Sequence, residues 1–259
     1  MPLPTTYTSQ ELCASREGSR IYGQLFLPSG DIGDERLPVL VCAHGFGANY
    51  LSCVPYAWRL AESGFAVYCF DFCGGGYASR SEGNPLDMTV ETECADIVAA
   101  IEMLHTQPRI DPERIYLMGE DQGGFASVLY ACAFREELPG LVLLHPSLNL
   151  HDQARKLFPT KKNIPVSYRQ QGMRVGRAYG EFIWDTNPYA YMRAYAGDVL
   201  IVHGDEDTAV PLDYSHRAMT VYPHARLQVI HGGKHMFRGE TQAEAVEAVT
   251  AFLTRIAEV

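Results

Sequence analysis

The chain is punctuated by short, continuous apolar runs rich in branched residues, and this is what most limits its fold. "LPVLVCA" (37–43) is apolar throughout, as a strand buried on both faces of a parallel sheet must be. "RIYGQLFLP" (20–28), "FAVYCFDF" (65–72), "RIYLMG" (114–119), "GLVLLHP" (140–146), "DVLIVHG" (198–204) and "ARLQVIHG" (225–232) read as further strands. Between them lie helical spacings at 52–64, at 89–107 and after Gly123, with a closing amphipathic helix at 244–256. Thr89 is placed to cap the second of these, with acidic residues in its first turns to suit the helix dipole. Strand–helix alternation of this kind predicts an α/β fold: an open, mostly parallel central sheet flanked by helices on both faces. The 259 residues are enough for a single domain over 1–259.

Residues 147–197 interrupt the rhythm. They hold no clear strand and are rich in aromatic and charged residues, among them Tyr168, Trp184 and Tyr189. A stretch of this size between two sheet strands is too long for a plain loop. It is read as a small, helical inserted cap over the carboxyl edge of the sheet. Most of its aromatics are expected to bury area rather than meet a ligand; Tyr168, Trp184 and Tyr189 are retained as candidate substrate contacts.

The formal net charge of −10 disfavours a nucleic-acid partner. No apolar run of about 18 residues exists, so no membrane span is expected. The start "MPLPTTYTSQ" lacks the basic and apolar regions of a signal peptide. Seven cysteines without zinc-type spacing suggest reduced, mostly buried thiols, a cytoplasmic setting, and neither metal nor cofactor. A small-molecule substrate is expected, and a homodimer is compatible with the sequence.

The chemistry concentrates at four strand ends. "RIYLMG" runs into Gly119-Glu120-Asp121-Gln122-Gly123, then into a helix. Strand, glycine-flanked turn and helix form the setting of a nucleophile elbow, G-x-S-x-G, here with a carboxylate in the serine position. "AHGFG" (43–47) follows another strand. From there the backbone N–H of Phe46, with that of Gln122, is expected to serve as an oxyanion donor. "HGDEDTAVP" (203–211) supplies Asp207 at the spacing of an acid that orients a histidine; Asp205 and Glu206 read as solvated competitors. "HGGKHMF" (231–237) supplies His235, flanked by Lys234 and Met236, two further candidate substrate contacts. The other eight histidines offer no comparable context; His203 and His231 read as loop supports.

Taken together, "AHGFGAN", "YAWRLAESGFAVYCFDFCGGG", "SRSEGNPLDMTVETECADI", "GEDQGGFAS" and "DVLIVHGDEDTAVPLDYSHRA", with the closing histidine loop, resemble the feruloyl/cinnamoyl esterase-like branch of the α/β-hydrolases over nearly the whole length. The resemblance implies an α/β-hydrolase fold with a small inserted cap that binds an aromatic acyl group. It also implies a catalytic set of Asp121, His235 and Asp207, with oxyanion amides at Phe46 and Gln122. The chain departs from that family at Asp121, where the family carries serine, and at Lys234 and Met236 beside the histidine. These joint departures favour natural divergence over an engineered replacement.

A hydrolase of esterase ancestry, with Asp121 in an Asp-His-Asp triad and an aromatic acyl or aryl substrate, is therefore expected. Alternatives stay open at this stage. Asp121 can attack an sp³ carbon of an epoxide or alkyl halide, with His235 then activating water. The chain can be an inactivated esterase or a ligand-binding protein, or a lyase or isomerase on the same scaffold. Acyl chemistry is handicapped, because a carboxylate beside the oxyanion amides repels a developing oxyanion by about 4 kcal/mol at ~4 Å and an effective dielectric near 20. Two carboxylates around one imidazole should also raise the pKa of His235.

Overall fold

The computed structural model describes residues 7–29 and 35–258. Twelve strands and eight α-helices are found among them. An edge strand, β1 (Tyr7–Glu11), precedes a small hairpin of β2 (Ala14–Arg16) and β3 (Ser19–Ile21), and β4 (Gly23–Pro28) returns to the main sheet. The run 20–28, read above as one strand, is thus divided at Tyr22: its first residues pair in the hairpin and the rest in the sheet. Then come β5 (Leu37–Ala43), α1 (Val54–Glu62), β6 (Ala66–Phe70), α2 (Val90–His105), β7 (Ile110–Glu120), α3 (Gln122–Ala133) and β8 (Gly140–Leu144).

The stretch after β8 holds α4 (Leu150–Leu157), an antiparallel hairpin of β9 (Ser167–Gln170) and β10 (Met173–Gly176), then α5 (Arg177–Asp185) and α6 (Tyr189–Met192). The expectation that 147–197 holds no strand is corrected by that hairpin. Its strand "SYRQ" is polar and partly exposed, so it carries no apolar run to announce it. The chain closes with β11 (Asp198–Gly204), α7 (Asp213–Met219), β12 (Ala225–Ile230) and α8 (Glu240–Ala257).

The main sheet has eight strands in the order β1-β4-β6-β5-β7-β8-β11-β12. From β6 to β12 every pairing is parallel; β4 joins β6, and β1 joins β4, antiparallel. Two cores follow from the period of two along a strand. Val39, Val41, Leu117, Leu141, Leu143 and Ile201 face one layer with α2 and α3. Leu40, Cys42, Met118, Val142, Leu144 and Val202 face the other, with α1 and α8. Each central strand is therefore apolar on both faces, which is why its sequence does not alternate.

Helix ends follow local chemistry. Thr89 caps α2 in a reciprocal box with Thr92, satisfying two N–H groups that a helix start leaves open. Among the described residues no helix is long and apolar enough to cross a membrane.

Candidate active site

The parallel strands bring their carboxyl ends to one edge, and loops from β5, β7, β8, β11 and β12 meet there. The elbow is the sharpest. Asp121 has φ 51° and ψ −115°, a conformation that L-residues adopt only where the surroundings enforce it. Its N–H donates to the Leu144 carbonyl at 3.0 Å, and its own carbonyl accepts from Ser147 N–H at 2.8 Å. Side chains are excluded on either side. A Cβ on Gly119 would lie 2.4 Å from the Gly123 carbonyl oxygen, and one on Gly123 would lie 2.4 Å from the carbonyl oxygens of Ala43 and His44. The two glycines of the motif thus let strand, helix and the β5 loop pass close together.

Asp121, His235 and Asp207 come together from three separate loops. His235 Nδ1 donates to Asp207 Oδ2 at 2.8 Å, and His235 Nε2 lies 3.4 Å from Asp121 Oδ1. Oδ1 of Asp121 also accepts the Ser147 hydroxyl. Its Oδ2 accepts the Phe46 backbone N–H at 3.0 Å. The amide expected to face a substrate oxygen thus holds the carboxylate of Asp121 itself. Gln122 opens α3, so its backbone N–H has no intrahelical acceptor.

Asp207 is fully engaged. Oδ1 accepts Ala209 N–H at 2.8 Å and Val210 N–H at 2.9 Å. Oδ2 receives His203 Nε2 at 3.1 Å besides His235. His203 therefore anchors the same carboxylate oxygen that meets His235. Asp205 instead accepts His231 Nδ1 at 2.9 Å and Gly232 N–H at 2.8 Å, bracing the turn.

Electrostatics follow from this packing. Burial opposes ionisation of Asp207 and Asp121, but the histidines and N–H donors outweigh it, and both carboxyls lie below their ordinary value. Burial also opposes the charged form of His235, yet Asp121 and Asp207 together raise it to about 10. His235 is thus an imidazolium at neutral pH, flanked by two carboxylates.

Gln122 is locked behind the elbow. Its side-chain amide donates to both oxygens of buried Glu93 at 3.0 and 2.9 Å. Its carbonyl accepts the Tyr179 hydroxyl at 2.7 Å. Burial pushes the Glu93 carboxyl well above its ordinary range, against the Gln122 contact.

A cavity of about 80 Å³ opens onto Asp121 and His235, walled by Gly45, Phe46, Glu120, His145 and Met236, with Gln171 from the tip of the β9–β10 hairpin. Met236 is about half exposed. Lys234 is exposed, and no ion pair joins it to Asp121. Trp184 Nε1 donates to the Phe158 carbonyl at 2.9 Å and the Tyr189 hydroxyl to the Tyr214 carbonyl at 2.8 Å; neither lines this cavity. Tyr168 lines a separate cleft of about 370 Å³ with Leu157, Phe158 and Ile183.

His145, not singled out in the sequence, sits on the cavity wall at the end of β8. The signal was a histidine at the carboxyl end of a buried parallel strand, where open α/β sheets place ligands. Among the described residues no three His, Cys, Asp or Glu side chains are placed to hold a metal ion.

Comparison with known proteins adds relatives to this geometry. Residues 38–171 match a family described as alpha/beta hydrolase fold. Est1E from Butyrivibrio proteoclasticus, solved with bound ferulic acid, superposes with a TM-score of 0.87 over 96% of this chain and 100% of that one, at 24% identity. At that identity the likeness establishes the fold. An uncharacterized Escherichia coli protein, YfhR, is 26% identical over 242 residues, covering 91% of this chain and 75% of that protein. The thiohydrolase aneE of Aspergillus aculeatus is 33% identical over 129 residues, covering 49% of this chain and 38% of that protein. The chain thus spans well under half the length of that thiohydrolase.

Proposed function

Because this chain belongs to the alpha/beta hydrolase fold family, we propose that it is a hydrolase of esterase ancestry whose nucleophile is Asp121 and whose target is an electrophilic sp³ carbon. One observation carries the reading: Phe46 N–H donates to Asp121 Oδ2 at 3.0 Å, while Oδ1 is the oxygen that faces His235. A substrate carbonyl would have to displace the carboxylate to reach that amide. An sp³ carbon needs no oxyanion donor in the first step, and the amide stays on Oδ2 for the second.

The chemistry runs in two halves. Oδ1 attacks the carbon, the leaving group departs with its electron pair, and an alkyl ester forms on Asp121. Esterification removes the Asp121 charge, so His235 keeps one carboxylate neighbour instead of two and its pKa falls. It releases its proton to solvent and becomes a base for water, with Asp207 holding the ring. Hydroxide adds to Cγ of Asp121, and Oδ2 becomes the oxyanion that Phe46 N–H stabilises. Collapse expels the alkoxide, which takes the proton of the added hydroxyl and leaves as the alcohol, so the carboxylate is restored and His235 keeps the proton drawn from water. The cap role of 147–197 belongs to the same reading: Gln171 on its hairpin lines the cavity.

A second reading is a silenced acyl hydrolase, favoured by the fold match to the ferulic-acid-bound Est1E. One experiment separates them. His235→Ala is exposed to styrene oxide, a haloalkane and methyl ferulate, and intact-protein mass is measured. An alkyl mass on Asp121 from either sp³ electrophile is expected. No adduct, with ester cleavage appearing only in Asp121→Ser, would leave the silenced esterase.

A further inference from the structure

A second imidazole and a second carboxylate share the cavity with the proposed nucleophile. His145 ends β8 with φ 34°, a conformation that a non-glycine residue holds only under constraint. Its N–H donates to the Val202 carbonyl at 2.8 Å. Its ring stands edge-on to His235, centroids 4.7 Å apart, and to Phe237 at 5.2 Å. Nε2 lies 3.6 Å from Glu120 Oε1, too far for a hydrogen bond.

Three buried atoms on this wall have no hydrogen-bond partner among the described residues: both ring nitrogens of His145, and Oε2 of Glu120. A buried polar group that nothing meets is costly to a fold. A packed fold seldom leaves three together, and both residues border the cavity that holds Asp121 and His235.

We propose that His145 and Glu120 form the leaving-group side of this site, where His145 donates a proton to a substrate oxygen and Glu120 supports the imidazole. The inference rests on Asp121 as nucleophile and narrows the substrate to an oxirane. When Oδ1 attacks an oxirane carbon, the C–O bond breaks and its electron pair stays on oxygen. That oxygen takes the proton from His145 and becomes the hydroxyl of a hydroxyalkyl ester. Hydrolysis of the ester yields a vicinal diol, and solvent returns the proton to His145. A halide leaves without a proton and has no use for this pair. The contact with His145 holds the Glu120 carboxyl below its ordinary value despite burial.

The test uses His145→Asn, because asparagine tolerates a positive φ. In a His235→Ala background, mass spectrometry reads how fast the Asp121 ester forms. With styrene oxide His145→Asn should slow it roughly 100-fold or more, as loss of a general acid does; with phenethyl bromide the rate should hardly change. Equal slowing by both reagents overturns the proposal and leaves His145 a packing residue. A second measurement does not depend on the nucleophile. Calorimetry of phenylethane-1,2-diol on Asp121→Asn should show affinity about tenfold weaker when His145→Asn is added. Unchanged affinity overturns the oxygen subsite. If no reagent alkylates Asp121 yet the diol still depends on His145, the nucleophile assignment and the proton transfer fail while the oxygen subsite stands.

Discussion

A carboxylate at position 121 alters the charge state of its neighbour as much as the chemistry open to the elbow. A hydroxyl there would leave His235 one anionic partner; here it has two, at 3.4 and 2.8 Å. NMR should find the native His235 midpoint near 10, and Asp121→Asn should bring it down by about 1 to 3 pH units. The same shift fixes a pH window for stability. The pKa is raised on folding, so the contribution is complete below the ordinary value of 6.5 and is lost as pH rises through about 10. Urea midpoints should therefore fall between those values, and Asp121→Asn should flatten that slope. Asp121 and Asp207, held below their ordinary value, act in the opposite sense: their contribution is present above about pH 4 and is lost on acidification.

Elements differ in how much of their stability is local. The α2 start is local chemistry: Thr89 Oγ1 accepts Thr92 N–H at 3.1 Å, and Thr92 Oγ1 accepts Thr89 N–H at 2.9 Å. Thr89→Ala should cost about 1 kcal/mol, read as a lower urea midpoint with an unchanged slope. The central strands stand on burial instead, and their runs were legible because both faces are apolar. Strand β1 was not, since "YTSQE" pairs at the sheet edge with mostly exposed side chains; its partner decides its conformation. The β9–β10 hairpin escaped notice for the same reason, and with it the placement of Gln171 on the cavity wall.

The insertion and the elbow are coupled across the molecule. Tyr179 on α5 reaches Gln122 at the start of α3, and Gln122 in turn reaches Glu93 on α2. All three side chains are buried. Tyr179→Phe removes the donor from a buried carbonyl, which should cost about 1–3 kcal/mol. Thermal unfolding measures that loss. If the network also aims the elbow, the proposed alkylation of Asp121 should slow in the same variant. Trp184 and Tyr189, by contrast, spend their polar atoms on carbonyls within the scaffold. Changing them should alter stability before it alters chemistry.

By itself, the sequence determined the strand–helix alternation, the two-faced apolar strands and the chain order of Asp121, Asp207 and His235. These are local patterns, written in neighbouring residues and in the spacing of glycines. Only the tertiary structure decided where polar atoms point. It gave the Phe46 amide to Asp121, set His203 behind Asp207, and buried His145 beside Glu120. Such pairings join residues far apart in the chain, and their partners depend on which loops the parallel sheet gathers at its carboxyl edge.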